Sequence, residues 1–191
     1  MKLSIFAGDI ADAPADAVCT STNPRLSLMM GTGASIRGRG GPEILRACEA
    51  VAPLPPGAVH ATTAGELPHK LVLHCVASDT AHRSSIAIVQ SCVANALERA
   101  QAAGCSSIAM PIFGTGHAHL RFDDAVRAMA QAALATPDAV EQLIFVTNDD
   151  ENAEALRTTL ENVTHQRVSI ERAQEVEPEP QGYWSFSLDA D

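Results

Sequence analysis

Aromatic side chains are scarce: seven in 191 residues. They are Phe6, Phe113, Phe122, Phe145, Tyr183, Trp184 and Phe186, and three of them crowd into positions 183–186. Basic residues are also few, 13 against 23 acidic ones, for a net charge of −10. Lysine occurs only at Lys2 and Lys70. That poverty excludes a duplex-binding surface, which needs clustered cations to neutralise phosphates. No apolar run approaches the roughly 18 residues of a membrane span. The first residues, MKLSIFAGDI, meet an acid at Asp9 and lack the apolar centre of a secretion signal. The five cysteines include no C-x-x-C pair, and each lies in an apolar neighbourhood. They read as reduced core residues of a cytoplasmic protein.

Chemical motifs are missing as well. There is no G-x-G-x-x-G and no G-x-x-x-x-G-K-[ST], hence neither a dinucleotide fingerprint nor a P-loop. Seven histidines invite a metal reading, but none has zinc-site spacing, and no metal or cofactor is expected. His74 lies between Leu73 and Cys75 in a strand-like run, where a packed histidine is the simpler reading.

What is present is a globular pattern, 46% hydrophobic, long enough to form one proper core. Apolar runs at Lys2–Ala7, 17–21, Val59–Thr63, 71–77, 107–112 and 141–147 predict strands. Pro42 and Glu43 open a helix whose inner face is Ile44, Leu45, Cys48 and Val51. Residues 84–102 form a second helix, with Ile86, Val89, Val93, Ala96, Leu97 and Ala100 as its stripe. Helices are also expected over 123–134 and 152–160, while the Gly-rich stretch 22–41 supports at most one short helix near 34–37. Strands alternating with helices predict an α/β/α sandwich on a mixed, largely parallel sheet.

In such sheets ligands sit beyond the carboxyl ends of the strands. Three loops there stand out: Gly8-Asp9, residues 22–33, and 114–119. Asp9 is either an acceptor for an amino group or a turn cap. Asn23 either binds a ribose hydroxyl or stabilises its own turn. Residues 114–116, Gly-Thr-Gly, let backbone N–H groups approach an anion.

The order of these signals resembles the macrodomain family. Its marks are Gly8-Asp9-Ile10, Ala15-Asp16-Ala17-Val18 leading to Asn23, and the helix start Gly41-Pro42-Glu43-Ile44-Leu45-Arg46-Ala47-Cys48. They continue with Thr63-Ala64-Gly65-Glu66-Leu67-Pro68, Leu73-His74-Cys75-Val76, and Ser107-Ile108-Ala109-Met110-Pro111 before Gly114-Thr115-Gly116. The likeness runs from about residue 2 to 160 and implies a cleft that binds ADP-ribose. By position, Asp9 would take the adenine amino group and Ile10 would line its pocket. Asn23, Gly31 and Gly33 would fall at the distal ribose and phosphates. Gly114, Thr115, Gly116 and His117 would wrap the diphosphate, and Asn148 stands where an adenine-stacking aromatic is common.

The departures are informative. Members that hydrolyse ADP-ribosyl bonds carry a glycine run after the asparagine and then an aspartate. Here Leu28-Met29-Met30-Gly31 and Gly33 occupy those places, closer to the macrodomain of a histone variant. The resemblance therefore implies a binder of ADP-ribose or a related ADP-ribosyl nucleotide. The alternatives are an ADP-ribosyl hydrolase working through Asn23 and His117, acting on modified macromolecules or O-acetyl-ADP-ribose, and an interaction module with a degenerate cleft. Whether the chain is an enzyme stays open.

Residues 1–161 are expected to form the domain and 162–191 an acidic extension with six acids against two arginines. In that extension, Val168 with Ile170 and Trp184 with Phe186 and Leu188 alternate like short strands. The Tyr183–Leu188 piece can pack on the core, cover the cleft, or dock on a protein partner or a second copy.

Overall fold

The computed structural model of the chain describes residues 1–116 and 118–173. Seven strands form one sheet: β1 (Lys2–Ala7), β2 (Ala17–Thr22), β3 (Val59–Thr63), β4 (Leu71–Val76), β5 (Ser107–Pro111), β6 (Gln142–Thr147) and β7 (Ser169–Arg172). Their order across the sheet is β3-β4-β2-β5-β6-β1-β7. All neighbours are parallel except β3 and β4. The expected mixed, largely parallel sheet is what forms.

Alternate residues serve opposite faces, as the two-residue period of a strand requires. Leu3, Ile5, Cys19, Leu73, Met110, Leu143 and Phe145 pack toward α3 (Ile86–Ala102), α4 (Phe122–Ala135) and α5 (Asp150–Thr164). Phe6, Val18, Val72, Val76, Ala109, Ile144 and Val146 pack on the other face. That face is covered by α1 (Gly31–Gly40) and α2 (Pro42–Glu49).

Some expectations are corrected. The Gly-rich stretch holds a ten-residue helix, not a short one. Burial of Ile36 and close approach at two glycines hold it. A Cβ on Gly33 would lie 3.0 Å from the Leu28 Cα, and one on Gly40 only 3.2 Å from the Ala64 carbonyl oxygen. Arg39 adds a bidentate pair with Asp12. Ile86 is 48% exposed, because the helix begins there, one turn before its buried stripe settles. Val51 lies past the end of α2 and is also exposed.

At the other end, α5 runs to Thr164, across the 161/162 boundary expected from the sequence. Val168 is buried, and β7 extends the sheet beside β1. Ala173 donates to the Ala7 carbonyl at 2.9 Å, which brings the chain back to Gly8. The segment with Tyr183, Trp184, Phe186 and Leu188 lies outside the described residues.

Candidate functional site

A cleft of about 400 Å³ opens beyond the carboxyl ends of β2, β4 and β5. Asn23, Gly31, Gly114 and Gly116 line it, which joins two of the three loops singled out from the sequence; the Gly8-Asp9 loop does not line it. The N-terminus of α1 forms one wall. Its cap position is Met30, which makes no side-chain cap bond. The first amides of that helix therefore keep their hydrogen-bonding capacity, and the helix dipole favours negative charge there. Facing the same space, Gly114 adopts φ +80°, which only glycine takes readily.

Asn23 stabilises its own turn, as its sequence context suggests. Its Oδ1 accepts from the amides of Arg25 at 3.0 Å and Ser27 at 3.4 Å, fixing the turn after β2. The residue also borders the cleft. Thr32 at the start of α1 is tied to Thr20 by a hydroxyl contact of 3.2 Å.

Other expected residues lie elsewhere. Gly33 is buried against Leu28 and does not line the cleft. Thr115 turns its hydroxyl to the Ile112 carbonyl at 3.2 Å, stabilising the loop. Asp9 caps the short 3-10 turn Ile10–Asp12, accepting from the Ala11 amide at 2.8 Å and from the Ser35 hydroxyl. Ile10 is fully buried in the core under α1, so its side chain offers no open pocket wall. Asn148 is exposed after β6. His117 lies outside the described residues.

The electrostatics separate the site from the core. Among the described lining residues there is no Asp, Glu, Lys or Arg, and His82 is the one histidine. Met29 and Met30 form an apolar lip, 62% and 58% exposed. The ionisable groups off their usual values lie outside the lining. Burial pushes His74 down to about 3, with His60 beside it adding to the shift. The Arg39 hydrogen bond holds Asp12 below the usual carboxylate range. Burial pushes the Cys48 thiol up to about 11 and raises Cys75 and Cys92 as well, so these sulfurs are poor nucleophiles.

Sequence reasoning missed one wall. The turn after β4 brings His82 and Ser78 to the cleft. Its signal was available: β4 is parallel to β2, so its carboxyl end also points to the ligand side. Asp79 also stands where it can cap the turn that follows.

Comparison with known proteins decides the family. The family model described as Macro domain matches residues 19–129. The chain belongs to the macrodomain family. This macrodomain is 31% identical over 151 residues to an uncharacterised protein of Mycobacterium tuberculosis, a match covering 78% of this chain. It spans only 42% of that relative's length. It is 33% identical over 121 residues to an O-acetyl-ADP-ribose deacetylase of Citrobacter rodentium, covering 60% of this chain and 68% of that one. Among solved structures, a mutant macrodomain of Oceanobacillus iheyensis with ADPR superposes with a TM-score of 0.78 at 22% identity. That match covers 86% of this chain and 94% of the other. Among the described residues, no helix is long and apolar enough to cross a membrane.

Proposed function

We propose that the cleft binds ADP-ribose or a related ADP-ribosyl nucleotide. One observation carries this reading: the uncapped N-terminus of α1 and the glycines at 114 and 116 border the same cleft. Unsatisfied amides on two sides suit a diphosphate, which needs donors and positive potential but no metal. Asn23 would supply an amide to the distal ribose, and the turn at Asp9, next to the end of β1, would receive the adenine. Macrodomain relatives support the choice of nucleotide, one solved with ADPR and one named for O-acetyl-ADP-ribose.

The name of that second relative favours a hydrolase as the other reading. The lining argues for binding instead. Activating a water needs a base placed against it; the described lining carries no carboxylate, and His82 at its rim is the one ionisable side chain there. The five buried, unpaired cysteines support a reducing compartment, the cytoplasm.

Titration calorimetry of the full chain with ADP-ribose tests this. Saturable binding is expected, weakened about tenfold by Asp9→Ala if that carboxylate accepts from the adenine. No heat at millimolar nucleotide overturns the reading. Release of ADP-ribose from a modified protein, lost in Asn23→Ala, would replace binding with hydrolysis as the function.

A further inference from the structure

The wall after β4 is fixed by a hydrogen-bond network of its own. Asp79 organises it. One carboxylate oxygen, Oδ1, accepts from the amides of Ala81 and Arg83, both at 2.8 Å. The Asp79 amide donates in turn to the Arg83 carbonyl at 2.8 Å. The backbone N–H of Arg83 is the main reason the Asp79 carboxyl sits below its usual range. His82 occupies the crest at φ +57°, the left-handed region, and reaches the cleft. A non-glycine residue in that region is uncommon and is sustained by its surroundings.

Two features tie the crest to the glycine loop across the cleft. The turn is stitched to the opposite phosphate loop, because the Ser84 amide donates to the Ala118 carbonyl at 3.4 Å. The Ser84 hydroxyl is shielded from solvent without a hydrogen-bond partner among the described residues. It lies 2.9 Å from where a Gly114 Cβ would stand. An unmatched hydroxyl packed against the glycine loop is a costly arrangement, which marks this contact between the turn and the loop as specified. His82 completes the set. It borders a cleft whose described lining holds no other ionisable side chain, and Arg83 beside it is directed at Asp79.

We propose that His82 grips the phosphates of the bound nucleotide and that Asp79 is its positioning residue. This inference rests on the nucleotide reading above. It adds a third wall, on the β4 side, to the α1 N-terminus and the 114–116 loop. An imidazole at the rim supplies a directional N–H matched to phosphate oxygens.

Calorimetry of the full chain with ADP and with ADP-ribose tests it. His82→Ala is expected to weaken both nucleotides about tenfold. His82→Lys, which supplies an N–H donor to a phosphate, is expected to recover most of that loss. Asp79→Ala should reproduce the loss, and Asp79→Asn, whose amide oxygen still accepts from the two backbone N–H groups, should not. The proposal is overturned if His82→Ala binds both nucleotides like the parent chain, or if His82→Lys binds as weakly as His82→Ala. Equal affinity of Asp79→Ala and the parent overturns the positioning role. Failure of the parent chain to bind either nucleotide overturns the nucleotide reading and this inference with it, whereas a selective loss in the variants leaves that reading standing.

Discussion

The two faces of the sheet are built by different rules. Under α3, α4 and α5 the core is filled by Leu, Val, Ala and Met on long amphipathic helices, against Phe145 of β6 and Phe113 after β5. Under α1 and α2 it is thinner, and glycines set the distances. The Gly65 Cα sits so close to α1 that an added Cβ would fall 1.9 Å from the Gly40 carbonyl oxygen. One face buys stability through area removed from water. The other brings backbone close to backbone, which leaves helix amides free at the cleft. Capping shows the same contrast. Ser85 (φ −148°, ψ 162°) accepts from the Ile88 amide and caps α3. Met30 holds almost the same backbone angles (φ −142°, ψ 162°) and caps nothing.

Four measurements sharpen or break this contrast. Phe145→Ala, fully buried on the α3–α5 face, is expected to cost about 3–5 kcal/mol in urea unfolding. A cost under about 1 kcal/mol would mean that this face does not dominate stability. Gly65→Ala is expected to cost about 2–4 kcal/mol, from the clash and from its positive φ together. A neutral result would show that α1 can move away and that its close approach is not required.

The third measurement follows pH. His74 is wholly buried on the glycine-rich face, its Nε2 3.0 Å from the Thr62 hydroxyl and its Nδ1 without a partner among the described residues. Because that hydroxyl donates to the Thr63 carbonyl, it accepts from Nε2–H, and the ring is neutral. The unfolded chain takes up its proton near 6.5 and the folded chain only near 3. Between those values the unfolded state binds more protons, so stability is full above about pH 6.5 and falls as pH drops. The slope reaches about 1.4 kcal/mol per pH unit. His60 shifts in the same direction. Asp12 and Asp16, lowered from 3.8, lose their contributions only at lower pH. Urea midpoints from pH 7 to 4 should show the slope, and His74→Gln should flatten it; an unchanged slope in that variant assigns it elsewhere.

The smallest effect concerns the cap. Met30→Ser is expected to stabilise by about 1 kcal/mol while occupying amides a phosphate would use. Higher melting temperature with undiminished nucleotide affinity would separate the α1 N-terminus from the ligand.

The α3–α5 face was legible in sequence because its helices repeat apolar residues at helical spacing over more than two turns. Val89, Val93, Ala96, Leu97 and Ala100 were all placed inside and are buried. The glycine-rich helix α1 was not, since Gly31, Gly33, Gly38 and Gly40 argue against a helix locally, and it is held by contacts with Leu28, Ile44 and Ala64, the burial of Ile36 and the Arg39–Asp12 pair. The site divides in the same way. Asn23, Gly31, Gly114 and Gly116 follow strand ends and were found by that rule. Gly33 and Thr115 share those loops yet turn away from the cleft.

By itself the sequence determined the α/β layering, the strand ends that border the cleft and the family, because period, turn residues and motif order are local properties. Tertiary structure decided which members of each loop border the cleft. It also decided that α1 forms with free amides and that His82 joins the rim. Those outcomes depend on contacts between segments far apart in the chain, such as Ser84 against Gly114 and Gly65 against Gly40, and no local pattern encodes them.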